Sequence, residues 1–387
     1  MKLSQIYKLM NTVTKEVIGE EAVVQEDLSN VVEIGKQIQD LDKIDNYVNS
    51  LVNHIGKVIF VNRPYSGSAP SVLMDGWEYG SILEKVTVDS LPQAVENASW
   101  ELEDGTSYDP NIFYKPQVSA EFFNKRVTFE IDMSFTKMQV KESFSNAEQL
   151  NAFISMIYNA IDKSMTVKTD ELVMRTINNM IGETLHSDFP AGSYNTSGVK
   201  AVNLLYLYNQ KFGTQLTKDK ALTTPEFIRF ASFTMGLYQM RMSKLSTLFN
   251  IGKKPRFTSP DLLHVVLLAD FAAAAPAYLQ SDTYHDEFVK LPKAEIVPCW
   301  QGSGTDYGFA STSSIKVKTS GNNTVELDGI LGVMFDRDAL GVCNYNRRVE
   351  SLYNPKAEFW NNFYKMDAGY FNSQNENFVV FYMTDAA

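Results

Sequence analysis

The stretch Ser145-Asn146-Ala147-Glu148-Gln149-Leu150-Asn151-Ala152-Phe153-Ile154-Ser155-Met156-Ile157-Tyr158-Asn159-Ala160-Ile161 is the clearest single element in the chain. It opens with a capping box, in which Ser145 caps the first turn and Glu148 reaches back to it. Leu150, Phe153, Ile154, Ile157, Tyr158, Ile161 and Met165 then recur at helical spacing, and Leu172, Val173, Ile177, Met180 and Ile181 continue the pattern. The spacing predicts a helix over 147–181, roughly 50 Å long if unbroken at about 1.5 Å per residue. Thr166-Val167-Lys168-Thr169 is the point where it would be interrupted.

Upstream, residues 57–140 have a different character. Lys57-Val58-Ile59-Phe60-Val61 is β-rich, and the chain after it is punctuated by Pro64, Gly67, Pro70, Gly76 and Gly80. Strands are expected at 82–89, 118–123 and 126–131. Between the first two lies a polar, acidic, turn-rich stretch from Pro92 to Pro110, so the pattern is a long hairpin with an elaborated tip. A hairpin this long is marginal alone and should lie on another surface. Further upstream, residues 1–56 carry narrow apolar stripes (Leu3, Ile6, Tyr7, Met10, Val13, Val17; then Leu28, Val31, Val32, Ile38; then Ile44, Val48, Leu51, Ile55). Helices of this kind are held by docking on something else.

Downstream, 199–345 reads as a mixed α/β unit. A helix is expected over 199–212, stopped by Gly213, and Thr224-Pro225-Glu226 opens another. Buried strands are expected at 262–269, 294–300 and 329–335, with an Ala-rich helix near 271–279. The segment after 345 is polar and aromatic and ends in the strand Phe378-Val379-Val380-Phe381-Tyr382-Met383.

The 387 residues are 44% apolar and 21% charged, the balance of a packed globular protein. The start, Met1-Lys2-Leu3-Ser4, lacks the basic and apolar regions of a signal peptide, and no apolar run reaches the roughly 18 residues of a membrane span. Two cysteines, Cys299 and Cys343, make no disulfide framework and fit a reduced compartment. A net charge of −11 argues against electrostatic gripping of nucleic acid, which needs Lys and Arg.

Catalytic and metal-binding signatures are not evident. His54, His186, His264 and His285 show no metal-ligand spacing, and His264, in an apolar strand, reads as a hydrogen-bonded core residue. Gly302-Ser303-Gly304-Thr305-Asp306-Tyr307-Gly308 lacks the Lys of a phosphate-binding loop and reads as a mobile loop. Asp336-Arg337-Asp338 reads as a solvated turn. Glu101, Glu103, Asp104 and Asp109 cluster in the hairpin tip beside Trp100 and Tyr108, as a solvated loop or a contact with another subunit. Cofactor and metal expectations are therefore none, although an enzyme with an unrecognised site stays open, because triads are geometric.

The order of elements, with local segments, resembles the major capsid proteins of tailed bacteriophages, and most closely those of small Gram-positive-infecting phages with short tails. Leu51-Val52-Asn53-His54-Ile55-Gly56-Lys57-Val58-Ile59 is similar to their lead-in to the hairpin, and Phe153-Ile154-Ser155-Met156-Ile157-Tyr158 to the start of their spine helix. Tyr353-Asn354-Pro355-Lys356-Ala357-Glu358-Phe359-Trp360 is similar to their return segment, and Asn377-Phe378-Val379-Val380-Phe381-Tyr382 to their closing strand. The resemblance implies an α+β tailed-bacteriophage capsid fold with five parts. They are an N-terminal arm at 1–56 that crosses to a neighbour, an extended β-hairpin loop with peripheral-domain strands at 57–140, a peripheral domain with the spine helix at 141–198, an axial domain at 199–344, and return strands at 345–387. It implies a structural, non-enzymatic shell subunit that self-assembles as pentamers and hexamers around a double-stranded DNA genome, without sequence-specific binding. Trp100, Glu101, Glu103, Asp104, Tyr108 and Asp109 become subunit contacts. Partners would be a separate scaffolding protein, a portal protein and decoration proteins, with no membrane. The virion capsid would be the location, assembled in the host bacterial cytoplasm. An encapsulin-like container, sharing the fold, is the alternative.

Overall fold

The long helix is continuous and longer than its sequence pattern suggests. In the computed structural model, which describes residues 3–19, 24–25, 30–40, 46–47, 50, 69–74, 83–88, 94, 96–108, 110–111, 113, 115, 117–143, 147–279, 294–300 and 314–385, it spans Ala147–Asp188, 42 residues, or about 63 Å. The Ser145 cap lies outside the described residues. The threonine stretch does not break the helix because its hydroxyls are absorbed by the preceding turn: Thr166 donates to the Asp162 carbonyl and Thr169 to that of Met165, both at 2.9 Å. Thr176 and Thr184 repeat the bond on Leu172 and Met180. A buried Thr in a helix is tolerated when the i−4 carbonyl satisfies it.

We name this helix α4. Before it come α1 (Leu3–Val17), α2 (Val31–Asp40), β1 (Leu73–Met74), β2 (Leu83–Val88), β3 (Val118–Phe123), β4 (Arg126–Thr136) and α3 (Lys137–Ser143). After it come β5 (Ala201–Asn203), α5 (Leu204–Phe212), α6 (Lys218–Ala221), α7 (Pro225–Met242), β6 (Leu263–Leu268), α8 (Ala269–Leu279), β7 (Glu295–Val297), β8 (Ser314–Lys318), β9 (Thr324–Asp328), β10 (Ile330–Asp336), β11 (Leu340–Asn354), β12 (Phe359–Asn372) and β13 (Phe378–Tyr382).

Two sheets organise these elements. The first has the order β1-β11-β12-β4, with β11 and β12 forming a long antiparallel pair. It turns at Asn354-Pro355, where the Asn354 side chain accepts from the Lys356 N–H at 3.0 Å. The second sheet has the order β5-β13-β10-β6-β7, with antiparallel centre and parallel pairs at both edges. All residues of β10 and β13 are buried, because the sheet is covered on both faces. Val266, Leu268, Val333, Phe335, Val380 and Tyr382 share a core with Leu172, Ile177, Ile181 and Leu185 of α4. Val265, Leu267, Met334, Val379 and Phe381 pack with Leu205, Phe227, Met235 and Phe271 of α5, α7 and α8. The β8–β9 hairpin covers α4 from another side, with Val317 at van der Waals reach of Gly182.

Several sequence expectations need correction. The helix expected over 199–212 starts only at Leu204, because Ala201–Asn203 pairs in parallel with β13 as β5. Asn203 then caps α5 by accepting from the Tyr206 N–H, and Gly213 ends it in the left-handed region at φ 64°. Asp336 is not solvated: it is buried, accepts from the Thr258 hydroxyl at 2.7 Å, and holds the turn by accepting from the Asp338 N–H at 2.9 Å. His264 is half-buried against Phe335, and its Nε2 has no hydrogen-bond partner; burial holds its pKa below the usual imidazole value. Residues 302–308, His54 and His285 lie outside the described residues.

The described parts of the arm also have packing partners within the chain. Met10 and Val13 of α1, Ile34 and Ile38 of α2, and Tyr47 form one core with Phe135, Ile157, Ile161, Trp360 and Tyr364 of the same chain. The described members of these stripes are thus buried within the chain, against the N-terminal half of α4 and the first sheet.

The tight and buried positions in this fold have measurable consequences. Gly332 sits where an added Cβ would lie 2.6 Å from Leu267 Cδ2 and 2.8 Å from the Val266 carbonyl. Gly332→Ala should lower unfolding stability by about 1–3 kcal/mol in a urea titration. Burial pushes the Tyr47 and Tyr364 phenols above their ordinary range. The unfolded chain loses these protons near pH 10 while the folded chain keeps them, so their stabilising contribution is complete below about pH 10 and declines above it. A melting-temperature series from pH 8 to 11.5 should fall at the alkaline end, and less so in Tyr364→Phe.

Candidate subunit interface

β2 and β3 pair antiparallel, Leu83 opposite Phe123 and Val88 opposite Val118, as a two-stranded ribbon joined to neither sheet. Successive residues of a strand face opposite sides. One side, with Lys85, Glu121 and Phe123, turns toward the body. The other carries Val86, Val118 and Phe122, which are 63%, 58% and 63% exposed. Apolar side chains therefore stand on the outer face of a ribbon that gives them no cover.

The body side is tied by charge. Lys85 and Glu121 are opposite each other in the ribbon. The Lys85 ammonium pairs with Glu376 at 2.9 Å and donates to the Asp338 carbonyl at 3.1 Å. Glu121 accepts from the Ser373 hydroxyl at 2.7 Å and the Asn375 amide at 2.6 Å. Glu376 also holds Arg256 at 3.2 Å. The carboxylate is thus a buried node joining the ribbon, the turn between β12 and β13, and the segment after α7. Phe123 rests on Phe371, ring centroids 5.0 Å apart. Sequence reading missed this node: Lys85 and Glu376 are 291 positions apart, and nothing in their local context marks them.

Beyond the ribbon, Ala98–Trp100 forms a 3-10 turn and Gly105 sits at φ 84°. The Glu103 N–H reaches the Tyr108 hydroxyl at 3.4 Å, and the Thr106 N–H donates to the Glu103 carbonyl at 3.3 Å. Of the expected contact residues, the structure brings Trp100, Glu101, Glu103, Asp104 and Tyr108 together in this tip, all exposed; Asp109 lies outside the described residues. Trp100 is 95% exposed, and Leu102 and Phe113, which the acidic pattern drew attention away from, are 65% and 85% exposed. A second exposed aromatic patch lines a groove of about 610 Å³ between α5 and α7, where the Lys211 ammonium lies over the rings of Phe212, Phe230 and Phe233.

Among the described residues, no group of three or more His, Cys, Asp or Glu is placed to hold a metal ion, and no helix is long and apolar enough to cross a membrane. Cys299 and Cys343 are both free thiols.

The sequence model of the Phi29-like phage major capsid protein family matches residues 10–382. The chain belongs to that family. It is a structural, shell-forming protein of tailed phages, and the virion capsid is its place. Solved structures with the same fold include a chain in the capsid structure of Staphylococcus phage Andhra, with a TM-score of 0.51, 10% identity, and 81% of this chain and 83% of that one covered. Another is a chain in the structure of the head fiber and inner core protein of native bacteriophage P68, with a TM-score of 0.50, 8% identity, and 83% and 86% covered. No curated protein matches by sequence. The α+β capsid fold thus persists at identities where individual residues do not, so the contact residues of this capsid protein have to be read from its own surface.

Removing the Glu376 carboxylate takes an anionic partner from two largely buried cations, Lys85 and Arg256. Glu376→Ala is expected to cost about 2–4 kcal/mol. It should also release the ribbon, read as faster limited proteolysis between 89 and 117 than elsewhere in the chain.

Proposed function

We propose that the β2–β3 ribbon and its tip are the surface by which one capsid subunit overlaps the next. The observation that carries this is the outward apolar face: Val86, Val118, Phe122, Trp100, Leu102 and Phe113 stand exposed on an element tied to the body through Lys85, Glu121 and Phe123. Exposed apolar clusters of this kind mark interaction sites. Glu101, Glu103 and Asp104, with Tyr108 and Asp109, would form the polar rim around the Trp100 anchor, which suits an interface with an aromatic centre and a polar edge. The long α4 with the first sheet makes the peripheral domain in this reading. The second sheet with α5, α7 and α8 makes the axial domain, and its Phe212–Phe233 patch faces a neighbouring copy around the symmetry axis. The arm contributes to contacts between subunits in the shell.

The wider role rests on the same logic. The subunit repeats in pentamers and hexamers through heterologous contacts that close around rotation axes, and it encloses the genome without gripping it, as its net charge of −11 suits. It performs no catalysis. A separate scaffolding protein guides assembly in the host bacterial cytoplasm, a portal protein occupies one vertex, and decoration proteins attach outside.

Negative-stain electron microscopy of the expressed chain, alone and with a candidate scaffolding protein, tests this. The full chain should give closed shells or capsomer rings. The variant lacking 92–110 should melt like the full chain yet give no stable shells; wild-type particle yield from it would refute the overlap role of the tip.

A further inference from the structure

The outer side of α7 carries an apolar stripe that its own chain leaves open. Phe227, Ala231, Met235, Tyr238 and Met242 bury the inner side of the helix. Phe230, Phe233, Leu237 and Met240 recur at helical spacing on the other side, and Phe233 and Met240 are 62% and 73% exposed. Cations bound the stripe at both ends. The Lys211 ammonium lies 5.8 Å from the centroid of the Phe233 ring. At the other end Arg241 and Lys244 are exposed. The Lys244 N–H donates to the Arg241 carbonyl at 3.1 Å, which carries the turn past the end of the helix and sets Lys244 one turn beyond Met240. The surrounding sequence keeps this sign. From Phe227 to Pro260 there is no Asp or Glu, while Arg229, Arg241, Lys244, Lys253, Lys254 and Arg256 are present, of which Arg256 pairs with Glu376. Glu226, at the N-terminal end of α7, is the acidic member of the groove lining.

The tip beyond the ribbon has the opposite composition. From Val86 to Tyr114 there is no Lys or Arg, while Asp89, Glu96, Glu101, Glu103, Asp104 and Asp109 are present. Trp100 and Leu102 stand exposed beside Glu101, Glu103 and Asp104. We propose that the tip of one copy docks on the outer side of α7 of the next, with Trp100 and Leu102 on Phe233 and Met240 and the tip carboxylates between Lys211 and Lys244. This rests on the overlap role proposed above for the tip and names the surface that receives it. Both surfaces are uncovered in the single chain, so the contact joins two copies. Tip against tip, or α7 against α7, brings like charges together, so symmetric pairing is disfavoured. The contact therefore runs head to tail, the kind that closes into rings. A polyanion such as DNA would meet the cations but leave Phe233 and Met240 in water.

A charge-reversal cycle in the full chain tests the pairing. Glu101→Lys, Glu103→Lys and Asp104→Lys reverse the tip; Lys211→Glu, Arg241→Glu and Lys244→Glu reverse the receiving surface. All six side chains are exposed, so each variant should melt like the natural chain. Each reversed set alone should slow the formation of shells or capsomer rings, followed by light scattering, roughly tenfold or more. The chain carrying both sets should recover to within about threefold of the natural rate. A combined variant no faster than the slower single set would overturn the pairing, and so would a natural rate from either reversed chain. Where a reversed set lowers the melting temperature, Gln at the five Glu, Lys and Arg positions and Asn at Asp104 give a neutral cycle. Its two sets together should slow assembly no more than either alone, and additive losses would overturn the pairing. The variant lacking 92–110 separates the underlying reading. If it fails to assemble while the combined reversal gives no recovery, the tip overlaps a different surface; if it assembles normally, the overlap role falls as well.

Discussion

The burial of α4 is the constraint from which the rest of the structure takes its position. Its N-terminal half, through Ile157, Ile161 and Met165, shares a core with the first sheet and the arm. Its C-terminal half, through Leu172 to Leu185, shares a core with the second sheet and the β8–β9 hairpin. This 42-residue helix serves two cores, and the threonine hydroxyls bonded to the carbonyls of the preceding turns satisfy donors that would otherwise be orphaned within it. Asp188 then fixes the far end. Its carboxylate accepts from the N–H groups of Lys200 and Ala201 at 2.7 and 2.9 Å and pairs with the Lys200 ammonium. The end of the rod is thereby bonded to the start of β5, and through β5 to the second sheet.

The densely packed body contrasts with what it carries. The ribbon is attached by charge and hydrogen bonds at Lys85, Glu121 and Glu376, and it leaves its apolar outer face in water. The described residues of the arm are attached by apolar packing. Each is a different compromise between holding an element in place and leaving it able to meet another copy. Such compromises make sense in a subunit whose final contacts lie outside its own chain. A shell built from many modest contacts gains its stability from their number and geometry.

Much of the fold is legible in the sequence where a single periodicity governs. The spacing through Leu150, Ile157, Ile161, Leu172 and Ile177 marks α4, and unbroken apolar runs mark β6, β10 and β13, because these strands are covered on both faces. Thr224-Pro225-Glu226 marks the start of α7, although the Thr224 hydroxyl bonds back to the Lys220 carbonyl rather than capping the helix. Legibility fails where a distant partner overrides a local pattern. Residues 201–203 suit a helix by spacing but are claimed by β13, and Asp336 suits a solvated turn but is buried against Thr258. The candidate interface was half legible: its acidic residues stood out as a cluster, while Leu102 and Phe113 did not, since one apolar residue in a polar stretch means nothing until its exposure is known.

By itself, the sequence determined the element order, the long helix, the hairpin with its acidic tip and the family resemblance, because these depend on residues close together in the chain or on an ordered set of local segments. Only the tertiary structure decided that Met10, Val13, Ile34 and Ile38 pack with α4 and the first sheet, that Glu376 anchors a ribbon 291 positions away, and that Thr14, Trp360 and Tyr364 are buried without partners. Those outcomes depend on which surfaces meet across long separations, and on whether a polar atom finds a partner there. Neither quantity has a local signature, because burial and hydrogen bonding are properties of the assembled neighbourhood rather than of the residue.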